Sequence, residues 1–218
     1  MFSGVSNLAN TVDSVFLFIF SICVALLVMV TLLMVYFVIR YSRKKNITPS
    51  NIEGNLPLEI IWTVIPVILV LAMFYYGWIG YKQIRNVPKN AMVIKATGHM
   101  WAWSFEYENG KQSNTLNVPL GKPVKLELYS WDVIHSLYIP AFRIKEDVVP
   151  KKNNYMWFEP TKTGSYNIFC AQYCGMGHSS MLTKVVVMPQ NEFKEWMENK
   201  SSNIKNQMTN KIQITKSQ

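Results

Sequence analysis

Four side chains that bind soft metals fall within the twelve residues from Cys170 to Met181. Two thiols, an imidazole and a thioether follow one another here as Cys170, Cys174, His178 and Met181, at spacings of four, four and three. Sulfur and imidazole ligands select copper, zinc or iron–sulfur clusters over magnesium or calcium. Methionine is not a usual zinc ligand, whereas a weak methionine beside histidine and cysteine is typical of copper electron-transfer sites. The segment therefore predicts a copper centre.

The second thiol needs an explanation, because a single blue copper uses one cysteine. Two thiolates can bridge two copper ions, and each ion then needs one imidazole and one weaker ligand. His178 can serve one ion, which leaves His99 and His135 as the remaining histidines of the chain. A small-loop disulfide is the alternative for Cys-x-x-x-Cys outside the cytoplasm, and a histidine in an apolar strand is often a hydrogen-bonded core residue. Because four potential metal ligands lie in one loop, a metal site is favoured over a disulfide or a core histidine.

Two long uncharged runs precede this segment. Residues 14–39 contain no charge over 26 positions, and residues 60–81 contain none over 22, whereas a bilayer core needs roughly 20 apolar residues. Neither run has a polar face, which argues against two buried helices of a soluble protein. We predict a transmembrane hairpin over residues 1–86, with helices at about 14–40 and 58–82.

Basic residues indicate the orientation of this hairpin. Arg40, Arg43, Lys44 and Lys45 lie in the short connection, whereas residues 1–13 carry no Lys or Arg. The positive-inside rule places the loop 41–57 in the cytoplasm and both termini outside. The missing basic n-region also argues against a signal peptide.

The pattern after residue 86 is that of a β-protein. Short apolar runs alternate with Gly, Pro, Asn and Asp clusters, residues 124–129 alternate with period two, and Asn109-Gly110 is a tight-turn signal. Several short strands in about 100 residues favour a β-sandwich or barrel. We predict this domain over residues 87–190, followed at 191–218 by a short amphipathic helix and a disordered tail.

The order of these motifs resembles a known family. Asp132-Val-Ile-His135-Ser, followed after about 35 residues by Cys-x-x-x-Cys-x-x-x-His-x-x-Met, is similar to the binuclear CuA centre of cytochrome c oxidase subunit II, in the haem-copper oxygen reductases. The similarity extends from the first apolar helix to about residue 189. It implies a cupredoxin-like Greek-key barrel on the outer face of the membrane. It also implies that Cys170 and Cys174 bridge two coppers, completed by His135, Met181, His178 and the Gln172 carbonyl, with His99 not a ligand.

The resemblance implies a function as well. Such a subunit accepts electrons from a c-type cytochrome and passes them to haem in a catalytic subunit I, where oxygen is reduced to water and protons are translocated. The implied partners are subunits I and III and a bacterial inner or cell membrane, with the copper domain on its periplasmic or outer face; nucleic acid is not expected. Alternatives are the CuA subunit of a nitric oxide reductase and a membrane-anchored copper-delivery protein.

Two further residues take roles from the resemblance. Trp101 matches the tryptophan at which the electron enters, although Met100 and Ala102 depart from the common Gln and Tyr; its alternative is an aromatic core strand with Trp103, Phe105 and Tyr107. Glu59 matches the entrance of a proton path, and its alternative is an acid favoured by the helix macrodipole.

Departures from the family pattern bear on ions and partners. Gln172 replaces the usual Glu whose carboxylate reaches a magnesium ion shared with the catalytic subunit, so that site is expected to be weak or absent. Residues 88–200 carry 13 basic and 10 acidic groups, which gives no acidic domain overall. Five carboxylates could form a local acidic patch, namely Glu106, Glu108, Asp132, Glu146 and Asp147. Because the domain as a whole is not acidic, we expect a different or tethered c-type cytochrome as the donor.

Overall fold

The computed structural model describes residues 4–42, 44 and 54–198. They form two compact units, one of residues 11–83 and one that joins residues 84–198 to the N-terminal residues 4–10. The predicted loop residues Arg43 and 45–53 and the predicted tail from residue 199 onward lie outside the described residues.

The helical unit consists of α1 (Ala9–Arg40) and α2 (Leu56–Arg85). At 1.5 Å per residue these helices are about 48 and 45 Å long, enough to cross a bilayer core of roughly 30 Å. None of the most apolar 18 residues in either helix is buried. Thr11 Oγ1 donates a hydrogen bond to Gln83 Oε1 at 2.9 Å, and the rings of Phe18 and Tyr76 are 4.8 Å apart. The start of α1 therefore contacts the end of α2, as in an antiparallel hairpin.

The helix bounds differ from the predicted ones at the start of α1. The absence of charge set the predicted start at residue 14, but Asp13 lies inside the helix, which begins at Ala9. A single acidic side chain within a run of helix-forming residues does not end a helix, because the backbone hydrogen bonds of the helix continue past it.

Residues before α1 pack against the β-domain. Val5 N donates to Ala141 O, Thr161 N donates to Val5 O, and Asn7 N donates to Glu159 O, at 2.9–3.2 Å. Val5 and Leu8 are buried. The predicted boundary assigned residues 1–86 to the hairpin, whereas this segment belongs to the β-domain. Its hydrogen-bond partners lie more than 130 positions away in the chain, and contacts of that kind cannot be read from a local sequence pattern.

The β-domain is a sandwich of two five-stranded sheets, which confirms the predicted fold class of an apolar helical pair followed by an all-β cupredoxin-like domain. The strand orders are β3-β2-β1-β5-β8 and β4-β10-β9-β6-β7. The pairs β1–β5 and β4–β10 are parallel, and the other pairs are antiparallel. The strands are β1 (Met92–His99), β2 (Ala102–Tyr107), β3 (Gln112–Ser113), β4 (Leu116–Pro119), β5 (Val124–Ser130), β6 (His135–Ile139), β7 (Ile144–Val148), β8 (Asn154–Phe158), β9 (Gly164–Cys170) and β10 (Leu182–Met188).

The core lies between the two sheets. In β5, Val124, Leu126 and Leu128 are fully buried while the residues between them are not, as the period-two pattern predicts. In β2 the aromatic residues Trp103 and Phe105 are buried as well, so this part of the aromatic run is core. The C-terminal helix α3 (Gln190–Glu198) adds Phe193 to this core.

Strand directions bring four loops to one end of the sandwich. The parallel strands β1 and β5 end together, β2 begins beside the end of β1, and Leu137 of β6 pairs with Cys170 at the end of β9. Val148 at the end of β7 pairs with His135 at the start of β6. This end, called here the metal-site end, consists of residues 98–102, 130–135, 149–153 and 171–182.

Candidate metal centre

Three buried donors form the middle of the metal-site end. Cys170 Sγ lies 3.8 Å from Cys174 Sγ and 3.9 Å from His135 Nδ1, and the three donor atoms all lie within 4.8 Å of one another. A disulfide requires an S–S distance near 2.05 Å, so the two sulfurs are not bonded to each other. The group has the chemistry of a soft-metal site.

The other three predicted donors lie around this group. His178 Nδ1 is 3.6 Å and Met181 Sδ 3.8 Å from Cys174 Sγ, and the Gln172 carbonyl oxygen is 3.2 Å from Cys170 Sγ. The structure thus brings together all six residues that the sequence nominates as ligands. His99 is exposed and is not part of this group.

His135 is held from two sides. Its ring is fully buried, its Nε2 lies 2.8 Å from Asp132 Oδ1, and its ring meets that of Trp103 edge-on at 6.0 Å. A carboxylate that accepts the second ring N–H fixes both the tautomer and the orientation of a ligating histidine. The other ring nitrogen, Nδ1, faces the sulfurs and lies 3.9 Å from Cys170 Sγ. Gly98 completes the pocket, since a Cβ there would approach His135 Cδ2 to 3.1 Å.

Asp132 links His135 to the loop that carries Trp101. Asp132 Oδ2 accepts a hydrogen bond from Met100 N at 2.7 Å, and Oδ1 accepts one from Val133 N at 2.7 Å. Burial alone would raise the pKa of Asp132, but the hydrogen bonds from His135, Met100 and Val133 and the charge of His135 lower this pKa to about 2. The side chain is therefore an ionised acceptor at neutral pH. The sequence motif contained Asp132, but only the fold shows what it binds.

Trp101 lies directly on the metal loop. Its Nε1 donates to the carbonyl of Cys174 at 3.1 Å, and a Cβ at Gly177 would come within 2.4 Å of Trp101 Cδ2. Glycine is thus required at position 177, because any side chain would displace the indole. Trp101 is 39% exposed, so one ring reaches both solvent and the cysteine loop. Gly177 was not singled out from the sequence, where a glycine between two ligands is also an ordinary loop residue.

Cys174 carries a protonated thiol at neutral pH in the absence of a metal. Burial, the neighbouring Cys170 and the charge of Asp132 raise the pKa of Cys174 to about 11. Metals bind thiolate, so binding at this centre would release protons and reverse that shift.

The five carboxylates that could form a local acidic patch do not all lie together. Glu106 and Glu108 lie toward the opposite end of β2 from the metal-site end, Glu146 forms a salt bridge with Arg85 at 3.3 Å, and Asp132 points inward to His135. Strand direction separates residues that are close in sequence. Glu59 belongs to the helical unit, where its Oε1 accepts the backbone N–H of Asn55 at 3.4 Å.

Comparisons with known proteins agree with this arrangement. Residues 110–188 match the family described as cytochrome c oxidase subunit II, periplasmic domain, and residues 1–77 match its transmembrane domain. The chain is 34% identical over 198 residues to cytochrome c oxidase subunit 2 of Alkalihalophilus pseudofirmus, covering 85% of this chain and 58% of the relative. It is 30% identical over 201 residues to the alternative cytochrome c oxidase subunit 2 of Bradyrhizobium diazoefficiens, covering 78% and 73%.

One solved structure supports the domain assignment. The crystal structure of the periplasmic domain of subunit II of cytochrome oxidase from Bradyrhizobium japonicum superposes with a TM-score of 0.50 at 34% identity, covering 53% of this chain and 96% of that one. The two apolar helices and the β-sandwich thus follow the order of the matched transmembrane and periplasmic domains. The chain belongs to the cytochrome c oxidase subunit II family.

Proposed function

We propose that this chain is the electron-accepting subunit of a haem-copper terminal oxidase and that it holds a binuclear CuA centre. The observation that supports this most is the convergence of six donors from the start of β6, the end of β9 and the loop that follows β9. Two thiolates, two imidazoles, a thioether and a carbonyl oxygen suit two copper ions better than one zinc. Bound copper would supply reversible one-electron chemistry.

Each donor has a defined place in this proposal. Cys170 and Cys174, the central pair, would hold the ions together with His135, Met181, His178 and the Gln172 carbonyl. Cys170, Cys174, His135 and Met181 are buried, which excludes water and holds the ligands rigidly. Fixed ligands limit the rearrangement that accompanies a change of oxidation state.

Electrons arrive through Trp101 in this proposal. The donor is a c-type cytochrome, and the contact of Trp101 with the Cys174 carbonyl supports the indole as the route. The electron leaves to haem in catalytic subunit I, where oxygen is reduced to water and protons are translocated; subunit III completes the assembly. Replacing Trp101 with Ala should slow reduction by cytochrome c while the copper spectrum stays intact, and equal rates would contradict the route.

The orientation and the proton path are part of the same proposal. The loop 41–57 lies in the cytoplasm, and both termini and the copper domain lie outside a bacterial inner or cell membrane. Glu59 in the first turn of α2 is the entrance of a proton path, since an ionisable group at the end of a membrane helix is a functional candidate. Its bond to Asn55 N equally suits a helix cap. Glu59→Gln should reduce proton translocation per electron, and Glu192→Gln in α3 serves as control.

The direct test is the metal content of the purified full chain. Natively expressed protein in detergent should contain two coppers per chain, and electron paramagnetic resonance should show one unpaired electron shared over two copper nuclei. A single localised Cu(II), one exchangeable Cu(I) as in a delivery protein, or zinc as the only metal would refute the proposal.

The magnesium site is expected to be weak. Gln172 keeps the backbone carbonyl that faces Cys170 but offers a neutral amide where a carboxylate would bind Mg²⁺ more strongly. In the assembled complex, Gln172→Glu should retain Mg²⁺ or its paramagnetic substitute Mn²⁺ more tightly than the wild type. Equal retention by both proteins would contradict this expectation.

A further inference from the structure

The surface around Trp101 is largely apolar. Met176 is 92% exposed, Trp131 81% and Tyr173 74%, and Met100 and Trp101 are also exposed. These residues form one patch: Met100 precedes Trp101, Met176 lies between the two glycines that contact the indole, and Trp131 N donates to Gly98 O. Several large apolar side chains exposed together mark an interaction site, and exposed tryptophans are frequent anchors of interfaces.

This patch lacks available charge. Within residues 98–102, 130–135 and 171–182, Asp132 is the only Lys, Arg, Asp or Glu. Both carboxylate oxygens of Asp132 accept hydrogen bonds from Met100, Val133 and His135. Its charge is therefore directed into the domain and is paired there.

The rim of the patch is basic on the β7–β8 side. The fourth loop of the metal-site end, residues 149–153, carries Lys151 and Lys152, both exposed. The exposed carboxylate closest to them in sequence is Asp147 of β7, which accepts a hydrogen bond from Ser136 Oγ at 2.8 Å. The two lysine charges outnumber the one carboxylate, so this rim does not attract a positively charged partner.

We propose that this face binds a c-type cytochrome whose surface around the haem edge is apolar with a neutral or acidic rim, rather than one ringed by lysines. The proposal rests on the electron-accepting function proposed above and specifies the donor for it. Apolar contacts centred on Trp101, Trp131 and Met176 supply the affinity, and Lys151 and Lys152 select against a basic partner. Repulsion of the wrong partner is as much a part of specificity as attraction of the right one.

The test uses one cytochrome in two charge states. A basic cytochrome c and the same protein with acetylated lysines are titrated against the detergent-purified full chain at about 0.02 and 0.2 M salt, between which charge interactions are strongly screened. We expect the acetylated form to bind more tightly than the native form at low salt and the difference to shrink at high salt. Native cytochrome binding about tenfold more tightly, with affinity falling as salt rises, would overturn the proposal.

Variants of the chain separate the two contributions. Trp131→Ala should weaken binding of both forms by about tenfold, as for a central interface tryptophan, and Trp131→Phe should recover part of the loss. Changing both Lys151 and Lys152 to Glu should shift the preference toward the native basic form. Lys122→Glu, in the turn before β5 at the opposite end of the sandwich, should change neither affinity. An unchanged preference in the double variant would refute the role of the lysines.

Binding is measured with and without copper, so that this proposal and the CuA assignment fail separately. Loss of the two-copper signal with unchanged cytochrome preference would contradict only the metal assignment. If neither form of cytochrome binds while copper loading is normal, the donor proposal is wrong.

Discussion

Two regions supply donors to the metal centre, and they differ in how they hold them. The loop from Cys170 to Met181 supplies five of the six, and its spacing alone brings them near one another. His135 comes from the start of β6, 35 residues earlier, and reaches the group because Leu137 of β6 pairs with Cys170. The loop donors are close to one another along the chain, whereas His135 reaches the site only because β6 pairs with β9.

The two histidines show the consequence of this difference. His135 is fully buried and bonded to Asp132 through Nε2, while His178 begins a short 3-10 helix and is partly exposed beside Tyr173. A buried donor fixed by neighbours is pre-organised and cannot be exchanged easily. A partly exposed donor can be replaced from solvent.

The largest expected effect is loss of the centre when a bridging thiol is removed. Cys174→Ser or Cys170→Ser should abolish the two-copper signal, because no other described thiol lies near the group. Copper per chain and the paramagnetic spectrum measure this. The control is Cys23→Ser in α1, which should retain both coppers. Full retention of the shared-electron signal in either bridging variant would contradict the assignment.

Histidine deletion tests the contrast between loop and strand directly. His178→Gly should lose the native signal and regain it when imidazole is added, since the site is partly open. His135→Gly should not be rescued, because the vacated space is enclosed and its Asp132 contact is internal. His99→Gly, at an exposed position, should behave as wild type. If imidazole restored the signal equally in His135→Gly and His178→Gly, the proposed difference between an enclosed strand donor and an open loop donor would be wrong.

The two neighbouring tryptophans should separate stability from electron transfer. Trp103 is 2% exposed and packs against His135, so Trp103→Ala should lower the free energy of unfolding by about 3–5 kcal/mol. Trp101→Ala should cost clearly less, because that ring is more than a third exposed. Denaturation of the metal-free chain in detergent measures both variants. A larger loss of unfolding free energy for Trp101→Ala than for Trp103→Ala would contradict the assignment of Trp103 to the core and of Trp101 to electron transfer.

The smallest effect is expected at Met181. This side chain is fully buried with its sulfur 3.8 Å from Cys174 Sγ. Leucine has a similar volume, so Met181→Leu should change stability by less than about 1.5 kcal/mol. Loss of the weak thioether donor should raise the reduction potential, because the oxidised metal loses electron density. Potentiometric titration measures the shift, and Leu182→Met, one exposed position further on, should leave the potential unchanged.

Much of the architecture could be predicted from local patterns. The two uncharged runs predicted the helices α1 and α2 because a long run of apolar residues has few other stable solutions. Alternation predicted the burial of Val124, Leu126 and Leu128. The segment around Val5 differed from expectation, because hydrogen bonds from Val5 and Asn7 go to residues more than 130 positions away. The start of α1 differed because Asp13 lies inside the helix.

The sequence by itself determined the donor types, the loop spacing and the pairing of a membrane segment with a β-domain. Only the tertiary structure decided that Asp132 turns inward to His135, that Gly177 accommodates Trp101, and that Glu106 and Glu108 lie away from the metal-site end. The reason is that strand direction and register place residues at one end or the other of a sandwich, independently of their distance along the chain. A charge count gives the sum of the charges, whereas the fold decides which of them a partner meets.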